Sequence, residues 1–200
     1  GVITDGGKFK WDTEKYPGMK NFKKFGPFAY TAKLRNGLFR NTGACLSPQN
    51  AFYNSIGMET LGLRMERVCD NAKTLAQFFA TEYSDIEVNY PGLAGSKWHN
   101  IATEQFGDKF GGIITIRTGN KKRAFGIIDA LKLPLIVSNI GDTKTLVIHP
   151  ESTLNVHSTQ EEKETAGVFD DLIRISVGIE DIDDLIDDFK QAIESVKDVY

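Results

Sequence analysis

"SPQNAFYNSIGMETLGLRMERVCDNAKTLAQFFA", Ser47 to Ala80, is the stretch from which the fold is read. Ser47 is a favoured N-cap residue, and Pro48 stands at the first helical position, where a missing N–H costs nothing. Apolar side chains then return at Phe52, Ile56, Met58, Leu61, Met65, Val68, Ala72, Leu75, Ala76 and Phe79, close to the helical period. With a rise of 1.5 Å per residue, a helix of this length runs roughly 50 Å. No single small core covers that distance, so the spacing predicts a helix that bridges two lobes.

Upstream, "GVITDGG" (residues 1–7) reads as the exit of a strand, with Val2 and Ile3 leading into a glycine-rich turn. Lys8 to Lys24 is aromatic, lysine-rich and broken by "YPG", the text of a surface loop. "PFAYTAKLRNGLFRNTGA", Pro27 to Ala44, has helical spacing that ends near Gly43. Downstream, short elements alternate. Strands are expected at "IEVNY", "GGIITIRT", "LPLIVSNI", "TLVIHP" and "LIRISVGI", and helices at "SKWHNIATEQF", "KKRAFGIIDALK" and "TQEEKETAG". The last helix, "DIDDLIDDFKQAIESVKDV", takes Asp181 as N-cap and carries an apolar stripe of Ile182, Leu185, Ile186, Phe189, Ile193 and Val196. From residue 81 on, this is the grammar of a layered α/β or α+β domain.

The bulk composition excludes several functions. A hydrophobic content of 40% with 26% charged residues is that of a soluble globular chain. Lys+Arg 24 against Asp+Glu 27 leaves a net charge of −3, which does not call for nucleic acid. The signs are uneven: the first forty residues are basic, and "EDIDDLIDD" (Glu180–Asp188) is acidic. Asp183, Asp184, Asp187 and Asp188 fall off the apolar stripe, several of them near the positive end of the helix dipole, and are expected to be solvated rather than metal-binding. His99, His149 and His157 lack ligand spacing, and Cys45 and Cys69 are unpaired in sequence, so neither zinc nor a disulfide is expected. Apolar runs are too short to span a bilayer, and a cytoplasmic chain without a membrane partner is the expectation. No P-loop, GxGxxG or GxSxG pattern occurs.

One residue breaks its local pattern. In "DLIRISVGIED", Asp171 to Asp181, alternation puts Ile173, Ile175 and Val177 on one face of a strand and Leu172, Arg174 and Ser176 on the other. The first face must meet a core, and the second should border a crevice. A guanidinium there suits bidentate capture of a carboxylate. An internal salt bridge, with Glu164 or Glu180, explains it equally well, because a buried arginine must be paired with something.

"SPQNAFYNSIGMETLGLRMERVCDNA", "YPGL", "FGG", "NIGDTKTLVIHPEST" and "GVFDDLIRISVGIED" together resemble, in order, the C-terminal half of the Cys/Met-metabolism pyridoxal-phosphate (PLP) enzymes. "NIGDTKTL" is similar to the sulfhydrylases of that family rather than to its cystathionine lyases and synthases, which read Ser-Leu-Gly there. The resemblance implies an α/β, aspartate-aminotransferase-like (fold type I) architecture. Residues 1–46 would be the tail of the large cofactor domain, 47–80 the bridging helix and 81–200 the small C-terminal α/β domain. It implies a transferase that replaces the acetyl-ester leaving group of O-acetylhomoserine with sulfide or a thiol. A related cystathionine or methionine γ-lyase, or a non-catalytic module or split-enzyme subunit, are the alternatives. Carried over by motif, Arg174 would hold the α-carboxylate of the amino-acid substrate, and Asn139, in "SNIGD", would flank it. The cofactor would be pyridoxal 5'-phosphate. The Schiff-base lysine and the phosphate-gripping residues of the family belong upstream of Gly1, so no catalytic residue is expected in this chain. Its partners would be the N-terminal half of the same enzyme and further copies in a homo-oligomer, a tetramer. The chain departs from the family after "HPEST", where "LNVHST" displaces His157 from a Thr-His pair, and between Lys15 and Phe28, where a loop is shortened.

Overall fold

The computed structural model describes residues 3–196, and the chain divides into two compact units, Gly1–Ile56 and Gly57–Tyr200. Of the strand exit expected at Val2 and Ile3, Val2 lies outside the described residues and Ile3 is in no strand; the residues of the last helix expected beyond Val196 also lie outside them.

In the first unit the aromatic residues of the expected loop stack on one another. Trp11 lies flat on Tyr30 at 5.6 Å, with Phe9 and Tyr16 meeting Trp11 edge-on. Pro17–Phe28 is consequently wound into 3-10 turns rather than left open, with Met19 buried and the Lys33 ammonium donating to the Gly18 carbonyl at 3.0 Å. Helix α1 (Ala29–Leu34) passes through a π turn, Arg35–Phe39, into α2 (Arg40–Thr42), so the helical spacing over this stretch is realised.

The long apolar repeat folds as two helices, α3 (Pro48–Glu59) and α4 (Leu61–Glu82), instead of one. Ser47 caps α3 as expected, its hydroxyl accepting from the Asn50 N–H. The interruption is at Thr60 (φ −104°, ψ 7°), between Gly57 and Gly62. Arg64 reaches back across it to the Gly57 carbonyl at 2.8 Å and to the Thr60 hydroxyl, satisfying groups that a continuous helix would have paired.

The second unit is a two-layer α/β fold. Its five strands are β1 (Glu87–Asn89), β2 (Ile113–Arg117), β3 (Leu135–Ile136), β4 (Leu146–Ile148) and β5 (Leu172–Ser176). They stand in the order β1-β2-β5-β4-β3, antiparallel except for the parallel pair β3–β4. "LPLIVSNI" thus yields only a two-residue edge strand before the chain turns. Helices α5 (His99–Phe106), α6 (Lys121–Ala130), α7 (Gln160–Thr165) and α8 (Ile182–Ser195) complete it.

One sheet face carries Ile114, Ile116, Val147, Ile173 and Ile175, all fully buried. Against it pack Ala72, Leu75, Ala76 and Phe79 of α4, Ala124 and Ile127 of α6, and Leu185, Phe189, Ala192 and Ile193 of α8. Phe79 meets Phe189 edge-on at 5.2 Å, joining α4 to α8 through an aromatic contact as well as buried area. Burying each such side chain contributes about 1.5–3 kcal/mol. Within the second unit the core lies under only the later part of the apolar repeat: Val68 onward is buried, whereas Met58, Leu61 and Met65 are exposed. Among the described residues, no helix is long and apolar enough to cross a membrane.

Candidate functional site

β5 is the middle strand, so whatever its outer face carries is presented at the centre of the sheet. Its inner residues, Ile173 and Ile175, are wholly buried, with Val177 continuing the same face. Alternation then leaves Leu172, Arg174 and Ser176 on the face turned away from α4, α6 and α8, as the sequence predicts. Register places Asn89, Thr115, Arg174 and Ile148 side by side in one row across four strands. The row beyond it holds Glu87, Arg117 and Leu172.

Arg174 makes no ion pair among the described residues. Its Nη2 donates to the Ser138 carbonyl at 2.8 Å and to the Asn139 carbonyl at 3.2 Å, and its Nε is buried without a partner. Both carboxylates offered by the salt-bridge alternative are engaged elsewhere. Glu164 accepts from Gln160, and Glu180 accepts from the Thr145 N–H and hydroxyl. Burial pushes the Arg174 pKa below the ordinary arginine value, although a guanidinium stays charged at any physiological pH. The result is a cation aimed by two neutral carbonyls, with donors left over and no anion spent on it. Such a group retains the planar donor fork that pairs with carboxylates.

Asn139 is brought to Arg174 through its main chain, while its side chain is exposed. The segment holding it, 138–145, is fastened on both sides. The Gly141 N–H donates to the Ser176 hydroxyl at 3.2 Å, and the Ile179 N–H donates to the Thr143 carbonyl at 2.9 Å. Gly141 adopts φ 76°, a left-handed conformation that favours glycine. A cavity of about 180 Å³ lies beside this segment, lined by Arg64, Met65, Val68, Ile140, Asp142 and Ser176 among others. A larger, open groove of about 1060 Å³ runs over the β1 and β2 ends of both rows, along Asn89, Trp98, Thr115, Arg117 and Phe169. There Arg117 is already paired with Asp171 at 2.9 Å and lies over the Phe169 ring, so it is a structural cation and not a free one.

The other titratable residues are structural. His149 is buried, hydrogen-bonded to the Ser152 hydroxyl (2.9 Å) and the Asp170 carbonyl (2.8 Å), with its ring against Phe125. His99 bonds the Pro91 carbonyl and His157 is exposed. Cys45 and Cys69 are free thiols, and no group of residues among those described could hold a metal ion. The expectation for the acidic face needs one correction. Asp183, Asp184 and Asp187 are exposed, but Asp188 is buried and accepts from the Lys132 and Leu133 N–H groups at 2.9 and 2.8 Å and from Gln191. Sequence reasoning also missed Asn71, buried in α4, whose amide donates to the carbonyls of Gly178 and Glu180. A polar residue among Cys69, Ala72 and Leu75 on the apolar face of a helix was the available signal.

A family model described as Cys/Met metabolism PLP-dependent enzyme matches residues 1–194. An O-acetyl-L-homoserine sulfhydrylase from Corynebacterium glutamicum is 38% identical over 213 residues, covering 98% of this chain and 48% of that protein. A Campylobacter jejuni crystal structure, described as an O-acetylhomoserine (thiol)-lyase with N'-pyridoxyl-lysine-5'-monophosphate, superposes with a TM-score of 0.77 and 39% identity. That match covers 82% of this chain and 39% of that one. The O-acetylhomoserine sulfhydrylase of Wolinella succinogenes gives 0.69 and 37%, over 86% of this chain and 45% of that one. The chain spans about half the length of the curated relatives it matches, and its fold is that of the C-terminal part of these fold type I enzymes.

Proposed function

The chain belongs to the Cys/Met metabolism PLP-dependent enzymes, and on that premise we propose that it is the substrate-binding C-terminal half of an O-acetylhomoserine sulfhydrylase. The whole enzyme exchanges the acetoxy group of O-acetylhomoserine for sulfide or a thiol. PLP, when bound, supplies the electron sink for that chemistry. The residues present do not fit its covalent attachment by themselves: no lysine lines the cavity beside the 138–145 segment, and Lys97, in the larger groove, follows Gly-Ser rather than the Ser-Ala-Thr-like stretch the family resemblance calls for. The reactive lysine and the phosphate cradle are therefore assigned to an N-terminal half, and the complete enzyme to a homo-oligomer, a tetramer. In this division Ser47 to about Ala80 bridges the two parts.

What this chain contributes is orientation. The observation that carries the reading is Arg174 itself, a cation in the middle strand on the face turned away from α4, α6 and α8, held by two carbonyls and free of any carboxylate among the described residues. A fixed guanidinium that captures the substrate α-carboxylate sets the direction of the Cα–H bond and turns binding energy into positioning. Asn139 closes the carboxylate's other side.

Arg174→Lys tests this in the assembled enzyme, this chain together with its N-terminal half. Lysine keeps the charge and loses the planar fork. Affinity for an L-amino-acid ligand should fall about ten- to a hundredfold, the equivalent of one charged hydrogen-bonded contact. The cofactor's visible band and the affinity for the decarboxylated amine should stay. Equal loss for acid and amine would overturn the assignment.

A further inference from the structure

Behind the segment that aims Arg174 lies a second layer of hydrogen bonds. Glu180, just after β5, accepts from the Thr145 N–H at 2.5 Å and from the Thr145 hydroxyl at 2.9 Å, both on the same side chain. Thr145 is wholly buried, and its hydroxyl also accepts from the Gly178 N–H at 2.9 Å. The Thr145 carbonyl in turn accepts from the Leu135 N–H, and so holds β3. From α4, Asn71 grips the carbonyls of Gly178 and Glu180 at 3.1 and 2.9 Å.

The approach of the two segments is as close as backbone allows. A Cβ added at Gly178 would lie 2.5 Å from the Thr143 carbonyl oxygen and 2.6 Å from the Lys144 carbonyl carbon. The 143–145 backbone therefore rests directly on the 178–180 backbone, and Thr145, Glu180 and Asn71 pair polar atoms at the contact. None of these groups touches Arg174. They fix the far end of the segment whose near end, Ser138 and Asn139, holds the guanidinium.

We propose that Thr145 and Glu180 are positioning residues for the substrate-carboxylate clamp, acting through the 138–145 segment on Arg174. The proposal rests on the reading of Arg174 given above. Loss of the Thr145 hydroxyl orphans the Gly178 N–H and one Glu180 oxygen, frees the segment, and lets the guanidinium drift from its bidentate geometry. Ångström-scale misplacement of such a group can cost up to about a hundredfold.

The test compares Thr145→Val, which keeps the shape, with Thr145→Ser, which keeps the hydroxyl, in the assembled enzyme. The readout is the ratio of competitive inhibition constants for an L-amino acid and for the amine lacking its carboxylate. Thr145→Val should lower the preference for the acid about tenfold, with the amine unchanged, and Thr145→Ser should restore it to within about twofold. Should Thr145→Val fail to fold, Glu180→Gln carries the same test, since it keeps one acceptor and replaces the other with a donor. Loss of both ligands in equal measure, or an unchanged ratio, overturns the proposal, because a merely structural contact would not discriminate between them. If Arg174→Lys leaves the ratio untouched, the clamp itself falls, which is a separate and recognisable outcome.

Discussion

Arg174 and Asp188 are both charged groups in a largely apolar setting, and they are handled in opposite ways. Arg174 is left with donors that no carboxylate takes up, its Nε among them, whereas Asp188 is consumed by two amides at the exit of α6. Asp188→Ala should therefore destabilise the chain by about 1–3 kcal/mol, the cost of leaving the Lys132 and Leu133 N–H groups without an acceptor. Asp187→Ala, one residue away and exposed, should stay within about 0.5 kcal/mol. Urea midpoints of the two variants, measured side by side, check the contrast. Strand alternation alone exposes Arg174, because its neighbours in sequence define the two faces. The role of Asp188 was not legible, since its partners lie some 55 residues away and nothing in "DDLIDDF" separates one aspartate from the next. Thr145 and Glu180 were illegible for the same reason.

At the scale of elements, helix periodicity and caps carried the assignment well. Ser47 and Asp181 cap the helices they precede, and Thr159 forms a full capping box with Glu162 before α7. The interruption at Thr60 escaped because the apolar repeat runs through it unbroken, and it is the return of Arg64 to Gly57 and to the Thr60 hydroxyl that closes the exposed groups. Sheet order escaped as well, since no local pattern says that β5 lies between β2 and β4. Between elements, Glu151 is a junction: its carboxylate accepts from Lys121 at the start of α6 (2.8 Å) and from Lys163 in α7 (2.5 Å). These hydrogen bonds hold its pKa at about 2, below the ordinary carboxylate value of 4.5. A carboxylate lowered on folding adds stability that is complete above the unfolded value and lost as pH falls through the folded one. The stability gap between the unmodified chain and Glu151→Gln should thus be constant above about pH 5.5 and shrink steadily from about pH 4.5 to 2. Chemical denaturation across that range measures it. A gap independent of pH would show that the junction is not ionic.

For the molecule as a whole, the relatives are about twice as long as this chain, and the exposed Met58, Leu61 and Leu63 show how much apolar surface the second unit's core leaves uncovered on its own helical residues. The family resemblance supplied the identity of the enzyme half that composition and charge could not. The position of β5 has a further consequence, for the order in which the protein is made. A chain leaving the ribosome has β1 and β2 available early and β3 and β4 later, but nothing joins the two pairs until residues 172–176 have emerged. Non-local pairing of this kind is slow and exposes unpaired edges while it waits. Nascent chains arrested with residue 165 just outside the exit tunnel should be cut readily by protease within α4 and α6, and those arrested with Ser195 outside should resist. Protection already present at the earlier arrest would mean that the two halves of the sheet find each other without the strand that lies between them.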